Sequence, residues 1–400
     1  ANLELLAAYA RLHEQTALNA VITELPPGPR AAEGALHGIA VAVKDNTDVA
    51  GVVTTNASTV ATPPPAAVDA PVVVRLREAA ADLLCKTNLL EYAAGSVNPA
   101  FGMTFNPRDP SRTSGGSSTG SAALVAAGVV DHALGTDTGG SIRIPAAYCG
   151  VVGLKPSYGL VPLEGVFPLS PSCDHVGPLT RTVAQAATLL GVIAGRPVEL
   201  RPVERLRVGV LRRQVDDPDL TAGVRDRVME ALDALASLGW QLVDVDFPEL
   251  DVVDEALGAV VLREAWDVHR ALYEQDAGGY GAGTRALLEL GSQIDDDTYR
   301  QGLADKERVT AAFARVFEDV DLLAGPTVAY VAPPEDPPFG APEGELEGRY
   351  TSAYNLSGSP AVSLPCGIAE GTLPAGLQLA ADVGADALLL SAAHAYEEIA

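Results

Sequence analysis

The chain has 400 residues, nearly half of them apolar, and 52 acidic against 27 basic side chains give it a net charge of -25. That composition describes a globular protein with a large core, not a disordered one. The charge repels phosphate backbones and argues against direct nucleic-acid binding, and no apolar run is long enough to span a bilayer.

In chain order, Ala1 to Ala10 lacks a basic segment and reads as an amphipathic helix rather than a signal peptide. The helical pattern covers residues 3–20 and ends at Pro26, Pro27 and Pro29. Gly38–Lys44 (GIAVAVK) is a short apolar run that predicts a buried strand. A helix over Arg75–Ala81 and a strand over Asp82–Lys86 follow. Thr113–Gly120 reads as a glycine/serine loop, and Asn106–Ser114, interrupted by proline, as a polar loop and not a strand. Ser121–Gly128 is a small-residue helix, His132–Thr136 a strand and Asp137–Ser141 a tight turn. A helix starts near Pro145, since proline suits the first helical position.

Strands at Arg205–Leu211 and Trp240–Phe247 flank a helix over Thr221–Leu238. Later come a helix at Val309–Phe317, a strand at Val320–Ala324 and a proline-rich surface loop at Val331–Gly344. Ala361–Leu364 and Ala375–Ala380 read as strands and Asp386–Ala400 as a closing helix. This alternation predicts an α/β fold: a single compact domain over residues 1–400 with a central mixed β-sheet covered by helices on both faces. The catalytic core is expected over about 36–190, a more variable substrate-side region over about 200–345, and a closing core segment over about 346–400.

Four scattered cysteines (Cys85, Cys149, Cys173, Cys366) form no CxxC pair, and the six histidines have no HxH or HxxxH spacing. Neither a disulfide scaffold nor a metal site is expected, no cofactor is implied, and a reducing cytoplasm is the expected compartment. The chemistry concentrates instead in Thr113–Gly153, where two glycine-flanked serine clusters occur: GGSS, ending at Ser118, and TGGS, ending at Ser141. Glycines before a serine leave backbone N–H groups unobstructed, as an oxyanion hole requires, and Thr138, Gly139, Gly140 and Ser141 are the candidate donors. Two such loops joined by a helix and a strand do not behave as a linker.

A serine needs a base. The chain has 23 arginines but only four lysines, Lys44, Lys86, Lys155 and Lys306. Arginine does not deprotonate, whereas burial lowers a lysine until its neutral amine can act as a base. Lys44, at the end of IAVAV, has the most apolar approach. The competing account is a strand-end lysine paired with Asp45 or Asp48.

The ordered runs GIAVAVKDNTDVAG, KTNLLEYAAG, NPRDPSRTSGGSSTGSAALVAAG, GTDTGGSIRIPAAYCGVVGLKPSYG and DHVGPLTRTV resemble the amidase signature family. DLLAGPT, YNLSGSPAVSLPCG and LPAGLQL extend the resemblance over nearly the whole chain, most weakly between residues 200 and 300. The resemblance implies a Ser-cisSer-Lys triad that hydrolyses carboxylic amides or related C–N bonds through an acyl-enzyme. Lys44 matches the base, Ser117 the bridging serine and Ser141, 24 residues later, the nucleophile. The peptide before Ser117 is cis in such enzymes. Ser118 is expected to hydrogen-bond within the site, and Asp137 and Arg143 to brace the loop or orient substrate. The sequence departs from the family pattern at Cys85, Thr119 and Gln185, none of them in the triad.

The partner expected on this reading is a small-molecule amide, with no direct nucleic acid and no membrane; a homodimer is a possible assembly, and the sequence does not decide whether a partner subunit is required. The alternative within the family is the glutaminase subunit of a tRNA-dependent amidotransferase. Gly116–Gly120 also fits GxSxG with Ser118 as nucleophile, but that elbow needs a strand directly before it and a downstream histidine. Asp137-Thr138-Gly139 has no second copy to complete an aspartic dyad, and no GxxxxGK[ST] is present.

Overall fold

The structure is a computed structural model that describes residues 3–338 and 340–400. Ala1 and Asn2, from the expected N-terminal helix, and Phe339, from the proline-rich loop, lie outside the described residues. The strands are β1 Val21–Glu24, β2 Ala40–Lys44, β3 Asp82–Thr87, β4 Phe105–Asn106, β5 Asp109–Thr113, β6 His132–Asp137 and β7 Val152–Lys155. They continue with β8 His175–Thr180, β9 Arg207–Leu211, β10 Gln241–Val245, β11 Leu322–Pro326, β12 Ala361–Glu370 and β13 Leu373–Ala380. Eleven of them form one sheet in the order β1-β3-β2-β6-β8-β7-β12-β13-β11-β9-β10. β2 runs parallel to β3 and β6, β9 runs parallel to β10 and β11, and the strands between are antiparallel, so the sheet is mixed.

Strand alternation sorts side chains onto the two faces. Val41 and Val43 of β2 join a core shared with the helices Pro71–Glu78, Val183–Ala194, Ala222–Ser237 and Asp386–Glu397. Ala40 and Ala42 point the other way, into a core with the helices Leu3–Glu14 and Thr119–Ala126. Lys44 continues that second set. It therefore emerges beside the N-terminus of Thr119–Ala126, where the serine loop 114–118 enters. The seven buried residues of that helix are mostly small, which lets the loop approach the sheet closely.

Several expectations are corrected. The pattern over 3–20 is a helix only to Glu14, followed by a short turn and the strand β1. Asn106–Ser114 is not a plain loop, since β4 and β5 pair as a two-stranded ribbon. Pro110 sits in that ribbon because an isolated ribbon needs few of its N–H groups for pairing. Residues 253–319 contain two helices of 24 residues, Val253–Asp276 and Asp296–Asp319, and the expected helix Val309–Phe317 is only the end of the second. The proline-rich stretch is not loop to its end, since a short helix, Pro342–Gly348, begins inside it. Gln185 completes a capping box with Thr182 at the start of Val183–Ala194, so this departure from the family pattern keeps the helix start intact.

Candidate active site

The site lies at the carboxyl ends of β2 and β6, neighbours in the parallel part of the sheet, where the loops after each strand meet. Lys44 is fully buried. Its Nζ donates to Ser117 Oγ at 2.8 Å, Ser118 Oγ at 3.0 Å and Thr136 Oγ1 at 2.8 Å. The carboxylates nearest to it in sequence are engaged elsewhere. Asp45 forms a buried ion pair with Lys86 at 2.8 Å, and Asp48 accepts the Thr54 hydroxyl at 2.7 Å. Burial lowers Lys44 from 10.5 to about 7, against the opposing pull of Asp137 and Asp174. An amine at that value is neutral in a large fraction of molecules at neutral pH, which is what a general base requires.

The Gly116–Ser117 peptide is cis. Gly115, just before, has φ +80, and a Cβ there would come within 2.4 Å of the Tyr148 ring. The loop is joined to the second serine loop through Ser118, whose N–H donates to the Ser141 carbonyl at 3.1 Å. Ser117 and Ser118 are buried, whereas Ser141 is partly open to solvent. Ser118 Oγ is fully used: besides Lys44 it bonds the carbonyl and the N–H of Thr136. That leaves it inside the wall and not presented as an elbow nucleophile. The Thr119 hydroxyl pairs with that of Thr104 at 3.0 Å.

The second serine loop, residues 138–141, is held by its carbonyls. Thr351 Oγ1 donates to the Gly139 carbonyl at 2.5 Å, and the Gly140 carbonyl accepts the Ile144 N–H at 2.8 Å. In a planar trans peptide the carbonyl and the next N–H point to opposite sides. Fixing these two carbonyls therefore turns the N–H groups of Gly140 and Ser141 away from the partners of those carbonyls. Gly140 has φ +140, and a Cβ on it would lie 2.3 Å from Thr351 Oγ1. Only glycine fits there.

Asp137 and Arg143 brace this loop from behind. Arg143 is fully buried, and its five N–H donors meet five acceptors: both Asp137 carboxylate oxygens, Asn355 Oδ1, Gln378 Oε1 and the Thr351 carbonyl. Burial pushes the Asp137 carboxyl up, but the Arg143 charge, with hydrogen bonds from Arg143 and Asn355, outweighs it and holds the group well below the usual carboxylate range. With every donor committed, Arg143 has none left for a substrate.

Four participants lie outside the site residues expected from the sequence. Thr136 accepts from both Lys44 and Asn46. Asp174 accepts the Thr138 hydroxyl at 2.6 Å and the N–H groups of Leu169 and Ser170, and burial raises it to about 6. His175 and Lys155 form a buried pair at 3.2 Å, both pushed well below their ordinary values, first by burial. DHVGPLTRTV stands out as a run, but nothing in it marks Asp174 as the partner of Thr138. Among the described residues no group of three or more His, Cys, Asp or Glu side chains is placed as metal ligands.

A desolvated lysine held against two loop serines at the carboxyl ends of a mixed α/β sheet is an arrangement suited to serine-dependent cleavage of C–N bonds. Residues 7–390 match the family model described as Amidase, and the chain belongs to the amidase signature family. The A subunit of a glutamyl-tRNA(Gln) amidotransferase from Synechococcus sp. (strain RCC307) is 37% identical, covering 98% of this chain and 88% of that protein. A crystal structure of an amidase superposes with a TM-score of 0.89 at 34% identity, covering 99% of this chain and 95% of the other. The corresponding glutamyl-tRNA(Gln) amidotransferase subunit of Thermotoga maritima superposes at 0.86 and 30% identity, over 99% and 91%.

The two amidotransferase subunits overturn the expectation of a small-molecule amide as partner with no direct nucleic acid. They are named as subunits of an enzyme acting on a charged tRNA. The charge argument fails because it weighs one chain alone; an acidic polypeptide says nothing about a tRNA handled by an assembly.

Proposed function

We propose that this chain releases ammonia from the side-chain amide of glutamine by acyl transfer to Ser141, as the glutaminase subunit of a tRNA-dependent amidotransferase. The chemistry rests on one observation: Lys44 is buried against three hydroxyls, with no carboxylate partner among the described residues. Neutral Lys44 takes the proton of Ser117 Oγ, and Ser117 takes that of Ser141 as its oxygen attacks the carbonyl carbon. The N–H groups of residues 138–141 hold the tetrahedral oxyanion. The proton returns along the same relay to the departing nitrogen, ammonia leaves, and water cleaves the acyl-enzyme to the carboxylate. Ser118, Asp137 and Arg143 position the loops and do not touch the substrate.

The assembly rests on similarity to amidotransferase A subunits over nearly the full chain. A free-standing amidase is the second reading, favoured by the likeness to the amidase crystal structure. The test puts this chain in place of its counterpart in a relative's amidotransferase and measures glutamine-dependent amidation of glutamyl-tRNA(Gln). Restoration by the chain, lost with Ser141→Ala, is the expected result. Turnover of simple amides by the isolated chain at ordinary enzymatic rates, about 1–1000 per second, with no restoration, would establish the second reading instead.

A further inference from the structure

A cavity of about 380 Å³ opens beside the relay. Its inner wall contains Thr136, which bonds Lys44, and Thr138, the first residue of the oxyanion loop. Leu163, Val166, Phe167 and Leu169 supply much of its apolar lining. Phe167 is held by tilted ring contacts with Tyr92 (centroids 4.9 Å apart) and His269 (5.3 Å), so that wall is braced from behind.

The charged and polar groups of this lining separate into those already engaged and one that is not. Asp174 accepts from Thr138, Leu169 and Ser170. His175 is bonded to Lys155 through Nε2 and to the Cys173 carbonyl through Nδ1. Asn46 donates to Thr136. Glu164 alone of these is exposed, and it makes no hydrogen bond or ion pair among the described residues. Among the described residues no lysine or arginine is in the lining. The buried guanidinium behind the oxyanion loop, Arg143, has all five donors committed.

Resting on the acyl-transfer reading of this site, we propose that Glu164 is the specificity-determining residue at the cavity mouth, selecting amides that carry an ammonium group and disfavouring those that carry only a carboxylate. For glutamine, Glu164 then takes the α-ammonium while the side-chain amide reaches Ser141. Glu164 is exposed, so water screens it, and its attraction for a cation and repulsion of an anion are modest and of similar size. The cavity's charge thus adds to the acidic surface of the whole chain.

The test measures how well four amides protect Ser141 from a small fluorophosphonate, a readout that does not depend on turnover or on other chains. The probes are glutamine, its tert-butyl ester (cationic), N-acetylglutamine (anionic) and butyramide (neutral). The ester is expected to give half-protection at a concentration about tenfold below that of N-acetylglutamine, the scale set by one partly exposed charge acting in opposite senses on the two. In Glu164→Gln the two should agree within about twofold, with butyramide unchanged. Equal protection by ester and N-acetyl compound in the native chain would overturn the proposal, as would selectivity that survives in Glu164→Gln. A Ser141 that is never labelled, in the native chain or the variant, would instead remove the relay reading, and the inference with it.

Discussion

Replacing Lys44 by methionine should abolish amide cleavage and yet make the protein more stable at neutral pH. The lowering of this amine from 10.5 to about 7 corresponds to about 5 kcal/mol by which folding is disfavoured while the lysine is charged in both states. That penalty is full below pH 7. Above it the folded amine loses its proton while the unfolded one keeps it, so the native chain gains stability by about 1.4 kcal/mol per pH unit up to about 10.5. Methionine removes the penalty but leaves hydroxyls without a donor. Ser118 Oγ retains its bonds to the Thr136 backbone and Thr136 Oγ1 retains Asn46, so chiefly Ser117 is orphaned. One buried hydroxyl without its partner costs about 1–3 kcal/mol. The variant should therefore be more stable by about 2–4 kcal/mol at pH 7 and lose that advantage between about pH 8 and 10. Urea titrations across this range measure the difference, and amide turnover should fall by at least about 100-fold. A variant less stable at pH 7, or a difference that stays flat from pH 7 to 10, would refute the account of Lys44 as a desolvated base.

Three further outcomes follow from the same geometry. Asp174→Asn removes a negative charge that holds Lys44 up, so the acid limb of the rate of Ser141 labelling should move to lower pH, and loosening of Thr138 should cut the plateau about tenfold. A limb that stays in place would mean that Asp174 acts on the loop alone. Asp45→Asn strands the buried Lys86 ammonium and should cost about 3–5 kcal/mol in denaturant unfolding, far more than an exposed pair such as Arg201–Glu199. Thr351→Val frees the Gly139 carbonyl and should lower kcat by about 10–100-fold with KM nearly unchanged, because a misaimed oxyanion donor matters only in the transition state.

What the sequence reveals about this site is whatever has a local pattern. A lysine ending an apolar strand, in a chain that otherwise prefers arginine, stands out, and so do serines introduced by glycines. The residues that aim those groups have no such mark. Thr351, Asn355 and Gln378 are single polar residues more than 200 positions from the loop they hold, and only the folded sheet brings β13 and the segment before β12 against Arg143. The strand β5 is obscured by Pro110, a residue that ordinarily interrupts pairing. The partner expectation goes astray for a different reason: net charge describes one chain, whereas the relatives are parts of an assembly of several.

The five-way engagement of Arg143 also limits how the chain can be divided. Its acceptors come from β6, from residues 351 and 355, and from β13, so the oxyanion loop is finished by the last fifty residues. A fragment ending near residue 345 would retain Lys44, Ser117 and Ser141 and yet lose three of the five acceptors of Arg143 together with the central strands β12 and β13. Truncation that reaches Gln378 therefore disturbs the loop that carries the proposed nucleophile, whereas insertions between β10 and β11 leave that clamp untouched.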